Sequence, residues 1–417
     1  FALSCAPMAQ PVRVVFVVPY ALDTSLRFAR AVAALGDVRM AVITQEAPER
    51  LDADFRARLV GVQRVDDALD AAQLRDAVER LAGPLGGTAQ RLIGVLEQLQ
   101  VPLAEVREAL SIRGMDTREA HNFRDKARMK DTLRAAGVPC ARHHLASTAD
   151  AARAFARECG YPLVVKPPAG AGARGTFRVA DDTELESYLA SIPPSSAEPV
   201  LLEEFMTGRE HSFDSVTLHG RQLLHSVSVY TPTPLEVMRT PWIQWKVVLP
   251  RRTDGQDFAD IHDVGPRALE ALGMVTGITH MEWFRRPDGS LAISEVAARP
   301  PGAQFTSLLS YVHDTDFYAV WARLLVHETF ALPQRRFSAG AVYLRGQGRG
   351  RVVAVRGAEE LAGELGDVLV ELKLPKPGAA PTNTYEGDGF AIARHPDTEV
   401  VEKALARALQ LVRIELG

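Results

Sequence analysis

The hydrophobic pattern near the start of the chain predicts strands of a parallel β-sheet. Residues 13–19 (RVVFVVP) and 38–44 (VRMAVIT) are continuous apolar runs rich in β-branched side chains, which is typical of strands that are buried on both faces. A helical stretch over residues 25–35 separates them, so their order indicates a β-α-β unit. Residues 66–136 have a mostly helical pattern, with predicted breaks at residues 83–87, Pro102 and Gly114. The last helix is predicted over residues 117–136, because a glycine and a proline follow it closely.

Beyond this region the pattern changes to short strands separated by turn residues. Two predicted strands flank Asp288-Gly289, a dipeptide that is a strong hairpin signal, and residues 219–222 are predicted to form another hairpin tip. Further strands are predicted over residues 161–167, 175–179, 199–206, 210–220 and 221–230, and further helices near residues 316–327 and 398–416. The predicted fold class is therefore an α/β N-terminal domain followed by α+β domains that are built from antiparallel hairpins.

Composition narrows the class of protein. A length of 417 residues indicates two to three domains, and the net charge of −4 argues against a nucleic-acid binder. No apolar run approaches the roughly 18–20 residues of a membrane span, and residues 1–7 do not have the regions of a signal peptide. Met8 is a candidate natural start. The cysteines (Cys5, Cys140 and Cys159) show neither metal nor disulfide spacing, so a reducing, cytoplasmic compartment is expected.

A glycine-rich segment is the first candidate for chemistry. Gly170, Gly172 and Gly175 have the spacing of the dinucleotide fingerprint, but that fingerprint needs a helix directly after the loop, whereas TFRV (residues 176–179) is strand-like. Such a hairpin can still offer backbone N–H groups to phosphates, and Arg174 adds a positive charge. A surface hairpin without a function fits the loop alone equally well. Lys166, which ends the preceding apolar strand, favours an anion site.

Two pairs of glutamates are candidates for a polar cleft. Glu203 and Glu204 end an apolar strand and face opposite sides of it, so one can face a cleft, although the pair taken alone favours a solvated strand end. Glu282 and Glu295 lie at equal distances from the Asp288-Gly289 turn, which makes them cross-strand neighbours. Two carboxylates side by side are stable with a cation between them, and oxygen ligands suit Mg²⁺ or Mn²⁺. The alternative is ion pairing of these carboxylates with the arginines nearby, which are Arg285, Arg286 and Arg299.

Four motifs, in order between about residues 114 and 326, resemble the ATP-grasp superfamily of carboxylate–amine ligases. They are FRDKARMKDTLRAAGVP, GYPLVVKPPAGAGARGTFRV, VLLEEFMTGREHSFD and MEWFRRPDGSLAISEVAARPPG. The resemblance implies an ATP-grasp fold with a pre-ATP-grasp α/β domain over residues 8–115, a small subdomain over 116–205 and a large subdomain over 206–417. The glycine loop is similar to that of biotin carboxylase, whereas the AARPPG ending is similar to the amino-acid ligases.

The resemblance also implies residues that bind ATP. Lys126 and Lys166 would contact the α- and β-phosphates, and the loop over residues 170–175 would cover the β- and γ-phosphates. Taken alone, Lys126 on a helix is better explained as a solvated charge. The remaining contacts are implied for Glu203 with the adenine amino group, the backbone of Glu204 and Met206 with the adenine ring, and Glu210 with the ribose.

The last motif implies a metal site and a site for the carboxylate substrate. Glu282 and Glu295 would bind two Mg²⁺ (or Mn²⁺) ions, with Glu295 bridging them. The family commonly has asparagine two residues later, where this chain has Ala297, so one metal ligand is missing. Arg299 matches the family arginine that meets the substrate carboxylate and the acyl phosphate. Arg299, Lys166 and Arg174 are the implied catalytic residues.

The predicted activity is ATP-dependent amide or peptide bond formation between a small-molecule carboxylate and an amine. Bicarbonate activation of the biotin-carboxylase type is one alternative, and a nucleotide-binding protein without activity is another, which Ala297 favours. Residues 230–250 are predicted to form a substrate-facing loop. In it, Met238, Trp242 and Trp245 form an apolar pocket or simply pack, and Arg239 reads a second carboxylate. His280 fits the amino-acid ligases or a structural role. Homodimers are common in this family, and neither a nucleic acid nor a membrane is expected as a partner.

Overall fold

The N-terminal unit is a parallel sheet with the strand order β3-β2-β1-β4. The structure, a computed structural model, describes residues 10–169, 175–240, 243–382, 384 and 386–417. Val14 and Phe16 of the first strand pack into one hydrophobic cluster, and Val15 and Val17 pack into another. The strand is thus buried on both faces, as its apolar run predicts. The elements are β1 (Val12–Val17), α1 (Asp23–Ala33), β2 (Val38–Thr44), α2 (Ala53–Arg56), β3 (Gly61–Arg64), α3 (Ala71–Arg80), α4 (Ala82–Leu85), β4 (Arg91–Ile93) and α5 (Gln100–Ala109).

The helical region that follows β3 differs from its prediction at β4 and at Pro102. It contains the strand β4, which is too short to give a pattern and pairs in parallel with β1. Pro102 is not a break, because it lies in the first turn of α5, where the missing N–H of a proline costs no hydrogen bond.

The predicted helix over residues 117–136 is in fact two helices, α6 (Thr117–Arg124) and α7 (Lys126–Ala135). Asp125 separates them, because its backbone is extended and its side chain accepts hydrogen bonds from the N–H groups of Ala127 and Arg128. This break places Lys126 at the first position of a helix, buried at 4% exposure rather than solvated.

A small antiparallel sheet with the order β5-β8-β6-β7 comes next. Lys166 ends β6, and Val164, two residues earlier, lies opposite Glu203 of β8. Lys166 and Glu203 are therefore diagonal neighbours on one face of this sheet. The elements are β5 (His143–Ala146), α8 (Ala149–Cys159), β6 (Leu163–Lys166), β7 (Phe177–Val179), α9 (Asp182–Ser191) and β8 (Val200–Glu204).

A large antiparallel sheet of eight strands forms the centre of the protein, with the order β13-β12-β9-β10-β11-β14-β18-β17. The hairpin predicted at Asp288-Gly289 is confirmed between its strands β12 and β13. The hairpin tip predicted at residues 219–222 joins β9 and β10. The elements from β9 to α13 are β9 (Arg209–Leu218), β10 (Arg221–Thr231), α10 (Pro234–Arg239), β11 (Trp245–Leu249), α11 (Ala259–Leu272), β12 (Gly277–Arg285), β13 (Leu291–Ala297), α12 (Phe305–His313) and α13 (Phe317–His327).

The C-terminal part completes the large sheet and adds a three-stranded sheet with the order β15-β19-β16. The predicted closing helix over residues 398–416 ends early, at Leu411, and a strand follows it. Among the described residues, no helix is both long enough and apolar enough to cross a membrane. The elements are β14 (Ser338–Leu344), β15 (Gln347–Gly348), β16 (Val352–Arg356), α14 (Ala358–Leu365), β17 (Leu369–Lys373), β18 (Gly389–His395), α15 (Thr398–Leu411) and β19 (Arg413–Leu416).

His211 makes the stability of this core depend on pH. Its ring is 3% exposed and stacks on Trp283 with 4.5 Å between the ring centroids, and burial lowers its pKa to about 4. An unfolded histidine titrates near pH 6.5. The unfolded state therefore binds more protons between pH 6.5 and 4, so the stability from the neutral ring is complete above pH 6.5 and is lost as the pH falls towards 4.

We expect the free energy of unfolding to fall by roughly 2–3 kcal/mol over this interval through His211. Urea unfolding at several pH values measures this fall. The variant His211→Phe keeps an aromatic ring in the stack and should lose the part of the pH dependence that His211 causes, whereas His144→Gln, at an exposed position, should keep it. An equal slope in wild type and His211→Phe would show that other groups cause the dependence.

Candidate active site

One cavity of about 690 Å³ lies where the N-terminal unit, the small sheet and the large sheet meet. The predicted site residues that line it are Lys126, Lys166, Glu203, Glu204, Met206, Glu210, Arg239, His280, Glu282, Glu295 and Arg299. Gly175 is not among the lining residues; its positive φ of 69° turns the chain next to Pro167. Gly170, Gly172, Arg174 and Trp242 lie outside the described residues. The four motifs thus converge on one place, although they are spread over some 180 residues of sequence.

Two lysines and one glutamate form a buried cluster at the phosphate end that the resemblance implies. Glu203, at 3% exposure, lies with one carboxylate oxygen 2.7 Å from Lys130 Nζ and the other 2.8 Å from Lys166 Nζ. Burial alone would raise the pKa of Glu203, but the two lysines outweigh it and lower the pKa to about 2. Burial lowers the pKa of Lys130, whereas for Lys166 the carboxylates around it outweigh burial and raise the pKa. Two ammonium groups thus share one carboxylate, and Lys166 and Glu203 of this cluster line the cavity.

Glu282 and Glu295 lie directly opposite each other on the β12–β13 hairpin, which confirms the predicted pairing. The nearest cation of Glu295 is Lys126, with Nζ 2.5 Å from Oε1. The three arginines considered as alternative partners pair elsewhere, which removes that alternative: they pair with Asp260 (Arg285), Glu204 (Arg286) and Glu97 (Arg299). The sequence interpretation missed the lysine, so a metal ion is not the only cation that stabilises this pair.

Glu282 continues into a polar network along the same face of the sheet. His280 Nε2 lies 3.6 Å from Glu282 Oε1, and His280 Nδ1 lies 2.5 Å from Asp214 Oδ1. Ser212 Oγ donates a hydrogen bond of 2.8 Å to the second oxygen of Asp214. Burial would lower the pKa of His280, but Asp214 and Glu282 outweigh it and raise the pKa to about 9. His280 is therefore a cation near neutral pH and a second partner for the acidic hairpin.

Glu210 lies beside this network at 6% exposure, and burial together with Glu282 raises its pKa well above the ordinary value. Glu204 is held between Arg142 and Arg286, so its side chain fastens the small sheet to the β12–β13 hairpin. Its N–H already donates to the carbonyl of Arg142, so a backbone contact to adenine would come from its own carbonyl. The connection to β9 passes Gly208, where a Cβ atom would lie 2.1 Å from the carbonyl oxygen of Arg285, so only glycine fits.

The predicted substrate-facing loop over residues 230–250 contains the helix α10 and the strand β11. Arg239, at the end of α10, lines the cavity together with an aromatic wall made of Tyr230, Trp245 and Phe305. Trp245 is 2% exposed and stacks on Tyr343 with 4.9 Å between the ring centroids. It therefore both packs in the core and closes the end of the cavity.

Comparisons with known proteins identify a domain in this chain and the fold of the chain. Residues 131–309 match the family model of the ATP-grasp domain. The chain carries an ATP-grasp domain. Its fold is the ATP-grasp fold: an L-amino acid ligase from Bacillus licheniformis superposes with a TM-score of 0.78 at 18% identity, covering 98% of this chain and 100% of the other. The biotin carboxylase domain of the Hydrogenobacter thermophilus 2-oxoglutarate carboxylase superposes with a TM-score of 0.68 at 17% identity, covering 97% of this chain and 91% of the other.

Curated relatives share shorter stretches with this ATP-grasp chain. The uncharacterized protein y4rH of Sinorhizobium fredii is 25% identical over 325 residues, which are 76% of this chain and 66% of the relative. Alanine–anticapsin ligase of Bacillus subtilis is 28% identical over 222 residues, which are 48% of this chain and 46% of that protein. The large chain of carbamoyl phosphate synthase from Streptomyces avermitilis is 37% identical over 134 residues, 31% of this chain and 12% of that protein. The chain thus spans less than two thirds of the length of these relatives.

The structure adds residues to the candidate site that the sequence interpretation missed. Lys130 follows Lys126 by one helical turn, so the helical period could have indicated it. Asp214 shares the strand period of two with Glu210, and that alternation was a usable signal. No sequence pattern could have indicated Glu97, because it belongs to the N-terminal unit and only the folding of the chain brings it to the cavity.

The acidic hairpin of the ATP-grasp domain fits Mg²⁺. Among the residues that the structure describes, no group of three or more His, Cys, Asp or Glu side chains is placed to hold a metal ion. The two carboxylates of Glu282 and Glu295 are oxygen donors that keep partial exposure to the cavity, with side chains 30% and 22% exposed. Mg²⁺ commonly takes one or two carboxylates and completes its shell with water and phosphate oxygens. Ala297, which lies opposite His280 and lines the cavity, offers no further ligand.

Proposed function

We propose that this protein is an ATP-dependent carboxylate–amine ligase that joins amino-acid-like substrates and releases ADP and phosphate. One observation carries the proposal: a single cavity holds Lys126, Lys166 and Arg299 around the facing carboxylates of Glu282 and Glu295. Such a cavity places ammonium and guanidinium groups next to two carboxylates that can hold a metal ion, which are the groups that a phosphoryl transfer needs. Phosphoryl transfer is promoted mainly by positioning and by electrostatic stabilisation.

The reaction that fits this cavity has two steps. An oxygen of the substrate carboxylate attacks the γ-phosphorus of ATP, the bond to the β-phosphate oxygen breaks, and an acyl phosphate and ADP result. The nitrogen of an amine then attacks the acyl carbon, loses a proton, and expels phosphate as the amide forms. Neither step needs a nucleophile from the protein.

The residues of the chain would divide these tasks by their positions. Lys126 and Lys166 would bind the phosphates of ATP, and Arg299 would hold the carboxylate and the acyl phosphate formed from it. Glu282 and Glu295 would hold one or two Mg²⁺ ions, which neutralise phosphate charge when bound. The adenine contact of Glu203 stays a prediction, since its carboxylate is shared between two lysines.

The names of similar proteins agree with a substrate of this class. The Bacillus licheniformis protein is an L-amino acid ligase and the Bacillus subtilis relative is an alanine–anticapsin ligase. Arg239 and the aromatic wall of the cavity suit an amino acid with an apolar side chain and a second carboxylate nearby. From these two proteins we extend to this chain only the class of substrate, which is an amino acid or a related acid.

A phosphate-release screen tests the proposal. Purified protein with Mg²⁺ and ATP would be given amino acids singly and in all pairs, with ADP and the condensed product measured by mass spectrometry. We expect release of ADP and phosphate that requires both an acid and an amine. Release with bicarbonate alone would favour the carboxylase alternative. Binding of ATP without turnover across the whole panel would favour the alternative that the protein binds nucleotide but has no catalytic activity.

A further inference from the structure

Glu97 belongs to the N-terminal parallel-sheet unit, yet its carboxylate lies at the wall of the cavity. It occupies a short 3₁₀ turn, Glu97–Leu99, close after β4, and is 6% exposed. A carboxylate with so little contact to water requires partners that replace the water. Nothing in the motifs of the sequence points to this residue, and the two steps proposed above do not use it.

The partners of Glu97 are two guanidinium groups. Its Oε2 accepts hydrogen bonds from Arg299 Nη2 at 3.0 Å and from Arg299 Nε at 3.3 Å, and its Oε1 accepts one from Arg124 Nη1 at 3.2 Å. Arg299 Nη1 donates to the carbonyl of Pro300 at 3.0 Å, so the guanidinium of Arg299 is held on several sides. Arg124 also donates to the carbonyl of Ala169, directly before the glycine-rich segment of the sequence.

We propose that Glu97 is a positioning residue, which fixes the guanidinium plane of Arg299 at the acid end of the cavity. This inference rests on the proposed ligase function, in which Arg299 holds the acyl phosphate. A charge promotes a reaction only if it is already aimed at the place where negative charge develops. An error of about 1 Å in such a position can lower a rate by about 10²-fold.

The charges of the three residues give the reason for a carboxylate at this place. Glu97 places one negative charge between the guanidinium groups of Arg124 and Arg299, so that both can lie close to it. Without it, two guanidinium groups that share one neighbour would repel each other at close range. Arg299 would then turn towards other anions, and the N-terminal unit would lose its polar contact with the reacting end of the cavity.

The test compares Glu97→Gln with a matched control elsewhere in the fold. Glu328 is also a carboxylate between two arginines, Arg91 and Arg113, and likewise joins the N-terminal unit to the rest of the chain, but it does not line the cavity. For each variant we would measure kcat, KM for ATP, the Kd for ADP with Mg²⁺, and hydrogen exchange of peptides that cover residues 296–303.

We expect Glu97→Gln to lower kcat about 30- to 100-fold, with KM for ATP and the Kd for ADP within about threefold of wild type, since the adenine and phosphate contacts remain. Hydrogen exchange of residues 296–303 should rise several-fold. Glu97→Asp, which keeps the charge, should recover part of the rate. Glu328→Gln should leave kcat within about twofold and leave exchange of residues 296–303 unchanged.

Two outcomes would overturn the inference. One is a kcat for Glu97→Gln within threefold of wild type; the other is an equal loss of kcat in Glu328→Gln, which would reveal a purely structural effect. If wild type turns over no acid and amine pair, the ligase function fails, and hydrogen exchange alone decides the positional claim. Faster exchange of residues 296–303 in Glu97→Gln, but not in Glu328→Gln, would uphold it, and unchanged exchange in both would refute it.

Discussion

Glu203→Gln is expected to destabilise the protein by roughly 3–5 kcal/mol, because it removes the carboxylate that pairs directly with two buried ammonium groups. Lys130 is 0% exposed and Lys166 is 8% exposed, and both pair with this one carboxylate. Glutamine keeps the size of the side chain, so the loss would come from charge and not from a cavity. The free energy of urea unfolding, measured without nucleotide, checks this value.

Glu204→Gln is the matched control on the same strand. Its partners Arg142 and Arg286 keep side-chain exposures of 55% and 30%, so water can replace the lost carboxylate and the cost should stay near 1 kcal/mol. In the double variant Glu203→Gln with Lys130→Met, one uncompensated charge is removed and part of the stability should return. Equal losses in Glu203→Gln and Glu204→Gln would show that the buried cluster does not matter for the fold.

Glu295→Gln is expected to lower kcat/KM for ATP by about 10²–10³-fold, the range found when one group that stabilises transition-state charge is removed. Glu295 faces Glu282 across the hairpin and pairs with Lys126, so its loss would remove the proposed metal ligand and the carboxylate that holds the proposed phosphate-binding lysine. A coupled assay for ADP gives the rate. Titration with Mn²⁺ in the presence of ADP gives the metal affinity, which should fall in parallel.

The same hairpin offers a control for this second prediction. Asp288→Asn changes an acidic residue at the exposed turn, where asparagine before glycine is equally favourable. Its kcat/KM should stay within about twofold of wild type. A Glu295→Gln variant with unchanged metal affinity and a rate close to wild type would remove Glu295 from the site.

Much of the fold could be predicted from local pattern. The strands β1 and β2 follow from apolar runs, and the β12–β13 hairpin follows from Asp288-Gly289, because these signals are confined to a few neighbouring residues. β4 and the division between α6 and α7 could not be predicted. β4 is short, and the division depends on Asp125, whose side chain caps a helix inside a stretch with helical periodicity throughout.

The residues of the candidate site that belong to the sequence motifs could be predicted. The contacts between residues that are distant in sequence could not. Symmetry about the turn places Glu282 opposite Glu295, but only the fold brings Lys126 within 2.5 Å of Glu295. Glu97 lies 202 residues before Arg299 in the chain, and no local pattern records such a contact. The buried charges of this protein thus acquire their partners through tertiary structure.

Trapping with hydroxylamine can show whether the protein activates a carboxylate with ATP, since hydroxylamine captures an acyl phosphate whatever the natural amine is. The protein would be incubated with ATP, Mg²⁺, hydroxylamine and a panel of amino acids and related acids. We expect at least one acid to give its hydroxamate in amounts equal to the ADP and phosphate released, and we expect Arg299→Ala to lower the yield. Formation of AMP instead of ADP, or no hydroxamate with any acid while the protein binds ATP, would contradict this expectation.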